Sequence, residues 1–278
     1  SYKYVVKIGK RAVAYSTTKR EAEQEARRVG GFVESLLTKN PVDAAYNHYL
    51  GEGAFTKAFT RLDPGPAGVA TQTLVDDRHG RDPEVSKILM CGTYEYLIDR
   101  GRTEIAAFFP ALKPVRLEVN GDGKPIEMIF SMPKYTLAEN MTTSARRVDR
   151  LLDVSLAVAK IINRRNTGTG DIESMIEGAQ EALNSSFYAD DAFRRKVELM
   201  LTVVYAALRA MGEIAETAKP YLGRAPRGDL HGGNIAVDSA GHLILLDPIV
   251  AYAAGPAQLL DLWEYFEFPV EYPGGVLA

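Results

Sequence analysis

Hydrophobic and polar residues alternate in short runs near the start of the chain, a pattern that predicts strands rather than long helices. The stretch YKYVVKIGKRAVAYS at residues 2–16 predicts two short strands around a turn at Gly9. A helix rich in Glu, Ala and Arg is predicted next, from Thr18 to about Leu37, and Pro41 would stop it. The chain therefore opens with a hairpin followed by a helix.

Further strands and one helix are predicted over the next hundred residues. Residues 46–76 read as a strand, a glycine turn, a strand, a loop rich in Pro and Gly, and a third strand. Asp82-Pro83-Glu84 has the form of a helix start, and the helix would run to about Ile98. A hairpin is predicted at residues 115–130, where Asn120-Gly121-Asp122-Gly123 supplies the positive φ angles of a tight turn.

The pattern becomes helical after a short link, SMPKY, at residues 131–135. Helices are predicted from Leu137 to Leu222, broken by the polar loop NRRNTGTG at residues 163–170. Strands with one helix, then a link, then helices predict an α+β fold. We expect a bilobal arrangement, with a small β-rich N-lobe and a mainly helical C-lobe joined at a hinge.

Composition narrows the classes of partner and compartment. The chain has 278 residues and a formal net charge of −3, which gives no reason to expect nucleic acid or an anionic membrane surface as a partner. Its single cysteine, Cys91, excludes an internal disulfide and favours a reducing, cytoplasmic compartment. No apolar run approaches the roughly 20 residues that span a bilayer, and no signal peptide pattern opens the chain.

The stretch RGDLHGGNIAVDSAGHLILLDP at residues 227–248 carries the candidate chemistry. Asp229 and Asn234 lie five residues apart, and Asp247 follows the apolar run LILL thirteen residues after Asn234. Gly241 permits a hairpin that returns the chain, so that Asn234 and Asp247 would end near one another. Carboxylate and carbonyl oxygens suit Mg²⁺, and Asp229 would then accept a hydroxyl proton. This arrangement is the one that phosphoryl transfer requires.

These residues resemble the catalytic loop and the metal-binding aspartate of the protein-kinase-like superfamily. The form G-D-L-H-G-G-N is similar to aminoglycoside and choline kinases. Asp247-Pro248, in place of Asp-Phe-Gly, is also similar to the early-gene protein kinases of short-tailed lytic bacteriophages. The resemblance implies that Asp229 is the catalytic base and that Asn234 and Asp247 are the magnesium ligands.

Two further segments resemble nucleotide-binding parts of the same superfamily. LGEGAFTKAF at residues 50–59 is similar to the glycine-rich loop over the phosphates, with Gly51 and Gly53 allowing close backbone approach and Phe55 at the tip. The backbone around Met132, in the predicted hinge, would hold an adenine edge. An ordinary glycine hairpin and a buried edge strand are the alternatives that stay open for these two segments.

The chain departs from the family where the phosphate-binding lysine is expected, since that position holds Gln72. Three explanations stay open: a lysine from another element, a shifted strand alignment, or a weak or inactive kinase that still binds nucleotide. Strand alternation disfavours Lys57, and Lys87 is expected to face solvent from its helix. The acid that would pair with the lysine is equally open between Glu84 and Glu95.

The sequence as a whole is interpreted as three parts and one activity. Residues 1–45 form an N-terminal hairpin-plus-helix extension, residues 46–135 a nucleotide-binding N-lobe, and residues 136–278 a helical catalytic C-lobe. The activity is an ATP- and Mg²⁺-dependent phosphotransferase in the cytoplasm, or in the host cytoplasm if a phage encodes it. A serine or threonine of a protein substrate is the first expected acceptor.

Two other functions remain open. The G-D-L-H-G-G-N form favours a small-molecule kinase of the aminoglycoside type, although no evident acidic insert would bind a polycation. Gln72 favours a nucleotide-binding pseudokinase that acts as a binding module.

Overall fold

The structure is a computed structural model, which describes residues 4–9, 11–16, 18–35, 48–52, 56–60, 68–74, 84–141, 151–164 and 168–271. Helices and strands both occur, so the predicted mixed α and β content is confirmed. Two compact units are present: Ser1–Leu74 with Ile129–Lys134, and Val75–Met128 with Tyr135–Ala278. None of the helices in the described ranges is long and apolar enough to cross a membrane.

The first unit begins with a small three-stranded sheet and one helix. Strands β1 (Tyr4–Ile8) and β2 (Arg11–Ser16) form the predicted hairpin, helix α1 follows at Lys19–Val29, and β3 spans Phe32–Ser35. The sheet order is β2-β1-β3, with β1 antiparallel to both neighbours. Ala22 and Ala26, four residues apart on α1, pack with Val6 in the core of this sheet.

Helix α1 ends eight residues before the predicted boundary at Leu37, so that prediction was wrong. The hydroxyl of Thr18 caps the start by accepting a hydrogen bond from the Glu21 amide at 3.3 Å. Gly30 ends the helix in the left-handed conformation, with φ of 68°. The chain then turns at Gly31 and continues as β3, because a strand there can pair with β1 and close the sheet.

Three more strands of the first unit occur where the sequence predicted them. They are β4 (His48–Glu52), β5 (Thr56–Thr60) and β6 (Gly68–Leu74), which pair in order as an antiparallel meander. Lys57 on β5 lies directly opposite Gln72 on β6 in the backbone register.

The second unit begins with helix α2 at Ser86–Asp99, later than the predicted start at Asp82. Asp82 and Pro83 lie outside the described residues. Glu84 instead forms an antiparallel bridge with Tyr252, and its carboxylate accepts a hydrogen bond from the Ser86 amide at 2.9 Å. The N-cap residue is Val85, whose side chain makes no capping hydrogen bond, and the Glu84 carboxylate satisfies one backbone amide of the first turn.

A short helix and a hairpin follow α2. Helix α3 spans Thr103–Ala106, and strands β7 (Lys113–Val119) and β8 (Pro125–Pro133) confirm the predicted hairpin. The Asn120 side chain accepts hydrogen bonds from the amides of Asp122 and Lys124, at 3.0 and 2.9 Å, which fixes the turn. The residues predicted as a link, 131–133, continue β8, which is shared between the two units.

Helices dominate the rest of the second unit, as predicted. They are α4 (Leu151–Ile162), α5 (Ile172–Asn184), α6 (Asp191–Thr217) and α7 (Pro256–Tyr265). Helix α6 contributes Val197, Leu201, Val204 and Met211, all fully buried, to the core. Trp263 of α7 is also fully buried, and its indole N–H donates to the Pro269 carbonyl at 2.9 Å.

Short strands between these helices build the framework of the candidate site. Strands β12 (Ile235–Val237) and β13 (Leu243–Leu245) pair with each other, and β12 also pairs with β9 (Thr136–Leu137). A second small sheet has the order β10-β11-β14, with strands at Thr169–Gly170, Arg227–Asp229 and Ile249–Val250. Strand β15 (Val270–Glu271) runs parallel to β7.

Candidate active site

Asp229 ends strand β11 and is held there from both sides. Its Cα lies opposite Thr169 of β10, and its amide donates to the Pro248 carbonyl at 3.0 Å, next to β14. The following residue, Leu230, donates its amide to the Gly168 carbonyl at 2.8 Å. The backbone that carries the candidate base is therefore fixed by strand pairing.

Asn234 reaches back to Asp229 across the turn of the motif. Its side-chain amide nitrogen, Nδ2, donates to the Asp229 carbonyl at 2.7 Å and to the Asp229 carboxylate Oδ2 at 3.1 Å. Because Nδ2 donates to the backbone carbonyl and to one carboxylate oxygen of Asp229, the Oδ1 atom is the acceptor that Asn234 offers to other groups.

The β12–β13 hairpin brings Asp247 back to this turn, as the sequence predicted. Ile235 pairs with Leu245, and the Leu246 amide donates to the Asn234 carbonyl at 2.9 Å. Asp247 is the next residue along the chain. The structure thus places Asp229, Asn234 and Asp247 together within the second unit.

Two residues at the start of α2 contact the Asp247 carboxylate. The Ser86 hydroxyl donates to Oδ1 at 2.7 Å, and the Lys87 ammonium lies 3.7 Å from Oδ2. The Lys87 side chain is only 12% exposed, so the expectation that it faces solvent was wrong. The lysine turns inward because Asp247 supplies the negative charge that a mostly buried ammonium needs.

Glu84 is the third carboxyl group of the site, after Asp229 and Asp247, and it lies close to Asp247. Burial and the negative charge of Asp247 raise the pKa of Glu84 to about 7, against the opposing effects of the Ser86 amide and of Lys87. Glu95, the other acid considered, lies on α2 and is exposed. Partial desolvation raises its pKa, and the charges that add to the rise are those of Asp99 and Glu267 rather than that of Asp247. Of the two, Glu84 is therefore the acid that lies at the site.

The candidate base has a perturbed carboxyl group. Partial burial raises the pKa of Asp229, and the charge of Asp247 adds to that rise, while His231 and the hydrogen bond from Asn234 oppose it. The Nε2 atom of His231 lies 3.9 Å from the Asp229 carboxylate, beyond hydrogen-bond distance. The Nδ1 atom accepts from the Gly233 amide at 3.1 Å, so His231 shapes the turn.

Glycines allow the motif to pack closely against the rest of the unit, a feature that the sequence analysis missed. A Cβ atom on Gly168 would lie 1.9 Å from the Leu230 carbonyl oxygen, and one on Gly228 would lie 2.0 Å from the Met175 sulfur. One on Gly232 would meet the Glu139 carboxylate at 2.5 Å. These positions therefore exclude any larger residue without movement of a neighbour.

The oxygen donors of the site fit Mg²⁺. Asn234 offers Oδ1 and Asp247 offers carboxylate oxygens, which is the type of set that binds Mg²⁺ together with water and phosphate oxygens. Over the described part of the chain, no group of three or more His, Cys, Asp or Glu residues could hold a metal ion.

The remaining predicted site residues belong to the first unit or lie outside the described residues. Gly51 is in β4 opposite Ala58, Gln72 is in β6, and Met132 is half-buried in β8. Gly53 and Phe55, at the tip of the predicted glycine-rich loop, fall outside the described residues. The nucleotide-binding roles of all five residues stay predictions.

Comparison with known proteins adds one distant similarity. No protein-family model matches the chain, and no curated protein matches its sequence. Among solved structures, the chain is similar to a spectinomycin phosphotransferase in complex with ADP and spectinomycin. The match has 9% identity and a TM-score of 0.29, and covers 79% of this chain and 74% of that one. A similarity with so low a TM-score establishes neither the fold nor the function of this chain.

Proposed function

We propose that the chain is an ATP- and Mg²⁺-dependent phosphotransferase that acts on a hydroxyl group. The observation that carries this proposal is the double hydrogen bond from Asn234 Nδ2 to the carbonyl and the carboxylate of Asp229. These hydrogen bonds fix the Asp229 carboxylate in place and leave Asn234 Oδ1 available as one ligand of a Mg²⁺ ion. Asp247, which follows β13, would be the second ligand. A bound Mg²⁺ would offset the charge of the nucleotide phosphates.

Within this proposal each residue has one chemical task. The acceptor oxygen forms a bond to the γ-phosphorus of ATP, and the bond from that phosphorus to the bridging β–γ oxygen breaks. ADP leaves with the electron pair of the broken bond, and the acceptor's proton passes to the Asp229 carboxylate. The raised pKa of Asp229 supports this task, because a more basic carboxylate accepts a proton more readily.

The segment after Asp247 favours a small molecule as the acceptor. Strand β14 pairs at once with β11, and the Val85 amide donates to the Ala251 carbonyl at 2.9 Å. Tyr252 and Ala253 then bridge to Glu84 and Leu222. The structure describes every residue from 247 to the start of α7. These residues pack against the second unit and do not form an extended segment that could bind a peptide. The G-D-L-H-G-G-N form also favours a small hydroxylated substrate.

A serine or threonine of a protein is the rival acceptor, and a pseudokinase is the rival class. Incubation of the protein with ATP, Mg²⁺ and either a panel of hydroxylated small molecules or a peptide library distinguishes the acceptors by mass spectrometry. A phosphate added only to small molecules supports the proposal, and one added only to peptides favours the protein kinase. Nucleotide binding without transfer to any acceptor or to water favours the pseudokinase.

Thermal denaturation tests metal-dependent nucleotide binding. A ligand that binds only the folded protein raises the melting temperature as its concentration rises. We expect ATP with Mg²⁺ to raise the melting temperature more than ATP with EDTA. The Asp247→Asn variant should lose that difference, because the substitution removes the negative charge of a proposed metal ligand. The Asp122→Asn variant, changed at an exposed position of the β7–β8 turn, should keep the difference. No rise with millimolar ATP and Mg²⁺ would contradict the proposed function.

A further inference from the structure

The first turn of α2 directs a lysine toward the candidate metal ligand. The Lys87 side chain is 12% exposed, and its Nζ atom lies 3.7 Å from Asp247 Oδ2. Removing an ammonium group from water is costly unless an anion lies nearby. The position of Lys87 is therefore coupled to the carboxylates of the site rather than to solvent.

Neighbouring contacts fix this position through the backbone. The Val85 amide donates to the Ala251 carbonyl at 2.9 Å, and the Ser86 hydroxyl donates to Asp247 Oδ1 at 2.7 Å. Glu84 pairs with Tyr252 in an antiparallel bridge. The three residues before Lys87 thus all contact Asp247 or the segment that follows it, so the backbone that carries Lys87 is fixed next to Asp247.

The contact with Asp247 leaves the ammonium group able to bind a second anion. A separation of 3.7 Å exceeds the usual N–H···O hydrogen-bond distance, so this contact is an ion pair without a short hydrogen bond. A lysine ammonium has three N–H donors. A phosphate oxygen can therefore take a donor from Lys87 without displacing Asp247.

We propose that Lys87 binds and neutralises the phosphates of the nucleotide, in place of the lysine expected at position 72. This inference rests on the proposed function and adds a residue to it. Gln72 is neutral and can only hydrogen-bond a phosphate, whereas Lys87 contributes a full positive charge. Lys87 also belongs to the same compact unit as Asp229, Asn234 and Asp247.

Binding of three ligands separates phosphate recognition from a structural role. Calorimetry would compare ATP, ADP and adenosine, each with Mg²⁺ and with EDTA, for wild type, Lys87→Met, Lys87→Arg and Lys219→Met. Lys219 is an exposed lysine of the same unit that pairs with Glu216, so its variant serves as the matched control. Loss of a charge-assisted phosphate contact should weaken ATP and ADP binding by about 10- to 100-fold, with adenosine binding unchanged. Lys87→Arg should recover most of that loss.

The measurements with EDTA show whether Lys87 binds phosphate itself or only positions Asp247. If Lys87 contacts phosphate, the weaker ADP binding of Lys87→Met persists without metal. A loss that vanishes in EDTA, equal losses for ATP and adenosine, or wild-type affinity for ADP would each overturn the proposal. Lys87→Gln provides the same comparison if the methionine variant does not fold. If the wild-type protein bound ATP no more tightly than adenosine, with or without Mg²⁺, that result would instead overturn the proposed function itself.

Discussion

At the scale of single residues, the candidate site depends on how each polar side chain divides its atoms between neighbours. Asn234 gives Nδ2 to Asp229 and keeps Oδ1 for another partner. Asp247 accepts from Ser86 at Oδ1 and faces the Lys87 ammonium at Oδ2. Each side chain therefore has a fixed orientation before a ligand binds, which lowers the cost of ordering the site on binding.

The raised pKa of Glu84 predicts that the free energy of unfolding depends on pH. Its pKa is raised from 4.5 to about 7, first by burial and then by the charge of Asp247. Between these values the folded protein keeps a proton that the unfolded chain releases. The free energy of unfolding should therefore fall as pH rises through this window, by up to about 3 kcal/mol.

Chemical denaturation in EDTA, at mildly acidic and at neutral pH, tests this expectation. Glu84→Gln cannot ionise, so it should lack the decline that the wild type shows. Glu264→Gln, at an exposed glutamate of α7, should behave as the wild type does. The same pH dependence in Glu84→Gln and wild type would mean that Glu84 is not the group that titrates.

Sequence spacing predicted which acidic and amide residues would meet, but not what else contacts them. Asp229, Asn234 and Asp247 lie on one loop and one hairpin, so local turn chemistry was enough to bring them together. Ser86 and Asp247 are 161 residues apart, and no local pattern indicates their contact. Lys87 was expected to face solvent because the sequence did not show that an aspartate would lie beside it.

At the scale of elements, two short strands hold the candidate base between them. Strand β10, in the segment predicted as a polar loop, pairs with β11, and β14 pairs with β11 on its other side. Such two-residue strands have no detectable periodicity, so the sequence could not indicate them. The glycines beside them are visible in the sequence, but their close contacts depend on the folded unit.

Gly168 provides a test of this framework. A Cβ atom there would lie 1.9 Å from the backbone oxygen of Leu230, one residue after Asp229. Gly168→Ala should therefore displace the loop, lower the free energy of unfolding by about 1–3 kcal/mol and slow phosphate transfer.

Gly121→Ala is the matched control, because a Cβ atom at that turn position meets nothing within 4 Å. Its stability should stay within about 0.5 kcal/mol of wild type. Denaturant titration of both variants checks the prediction. Equal stabilities for the two would show that the close approach of Gly168 to Leu230 does not constrain the loop.

Element boundaries show where local sequence patterns are insufficient. The β7–β8 hairpin follows directly from its Asn-Gly and Asp-Gly turn, since these residues accept the required backbone angles. The end of α1 was placed too late because the helical pattern was extended past Gly30. Residues 32–35 then form a strand, because pairing of β3 with β1 stabilises that conformation more than a continued helix would be stabilised.

At the scale of the whole molecule, the candidate residues divide between two compact units. The second unit contains Lys87 and the three motif residues, whereas Gly51, Gln72 and Met132 belong to the first unit. The order of strands and helices predicted the mixed α and β content. It could not predict that α2 would be grouped with the helices of the second unit, because that grouping depends on long-range contacts.

In the proposed function, Asp229 accepts the proton of the attacking hydroxyl during an ATP-dependent transfer. Asp229→Asn should bind ATP with nearly wild-type affinity, because the side chain would touch the acceptor and not the nucleotide. Transfer should fall by about 100- to 10,000-fold, the usual effect of losing a general base. The measurement is the rate of release or transfer of γ-phosphate from radiolabelled ATP, with affinity determined in parallel by calorimetry. Retained binding with lost transfer is the predicted result, and a variant that transfers phosphate as fast as wild type would contradict the account.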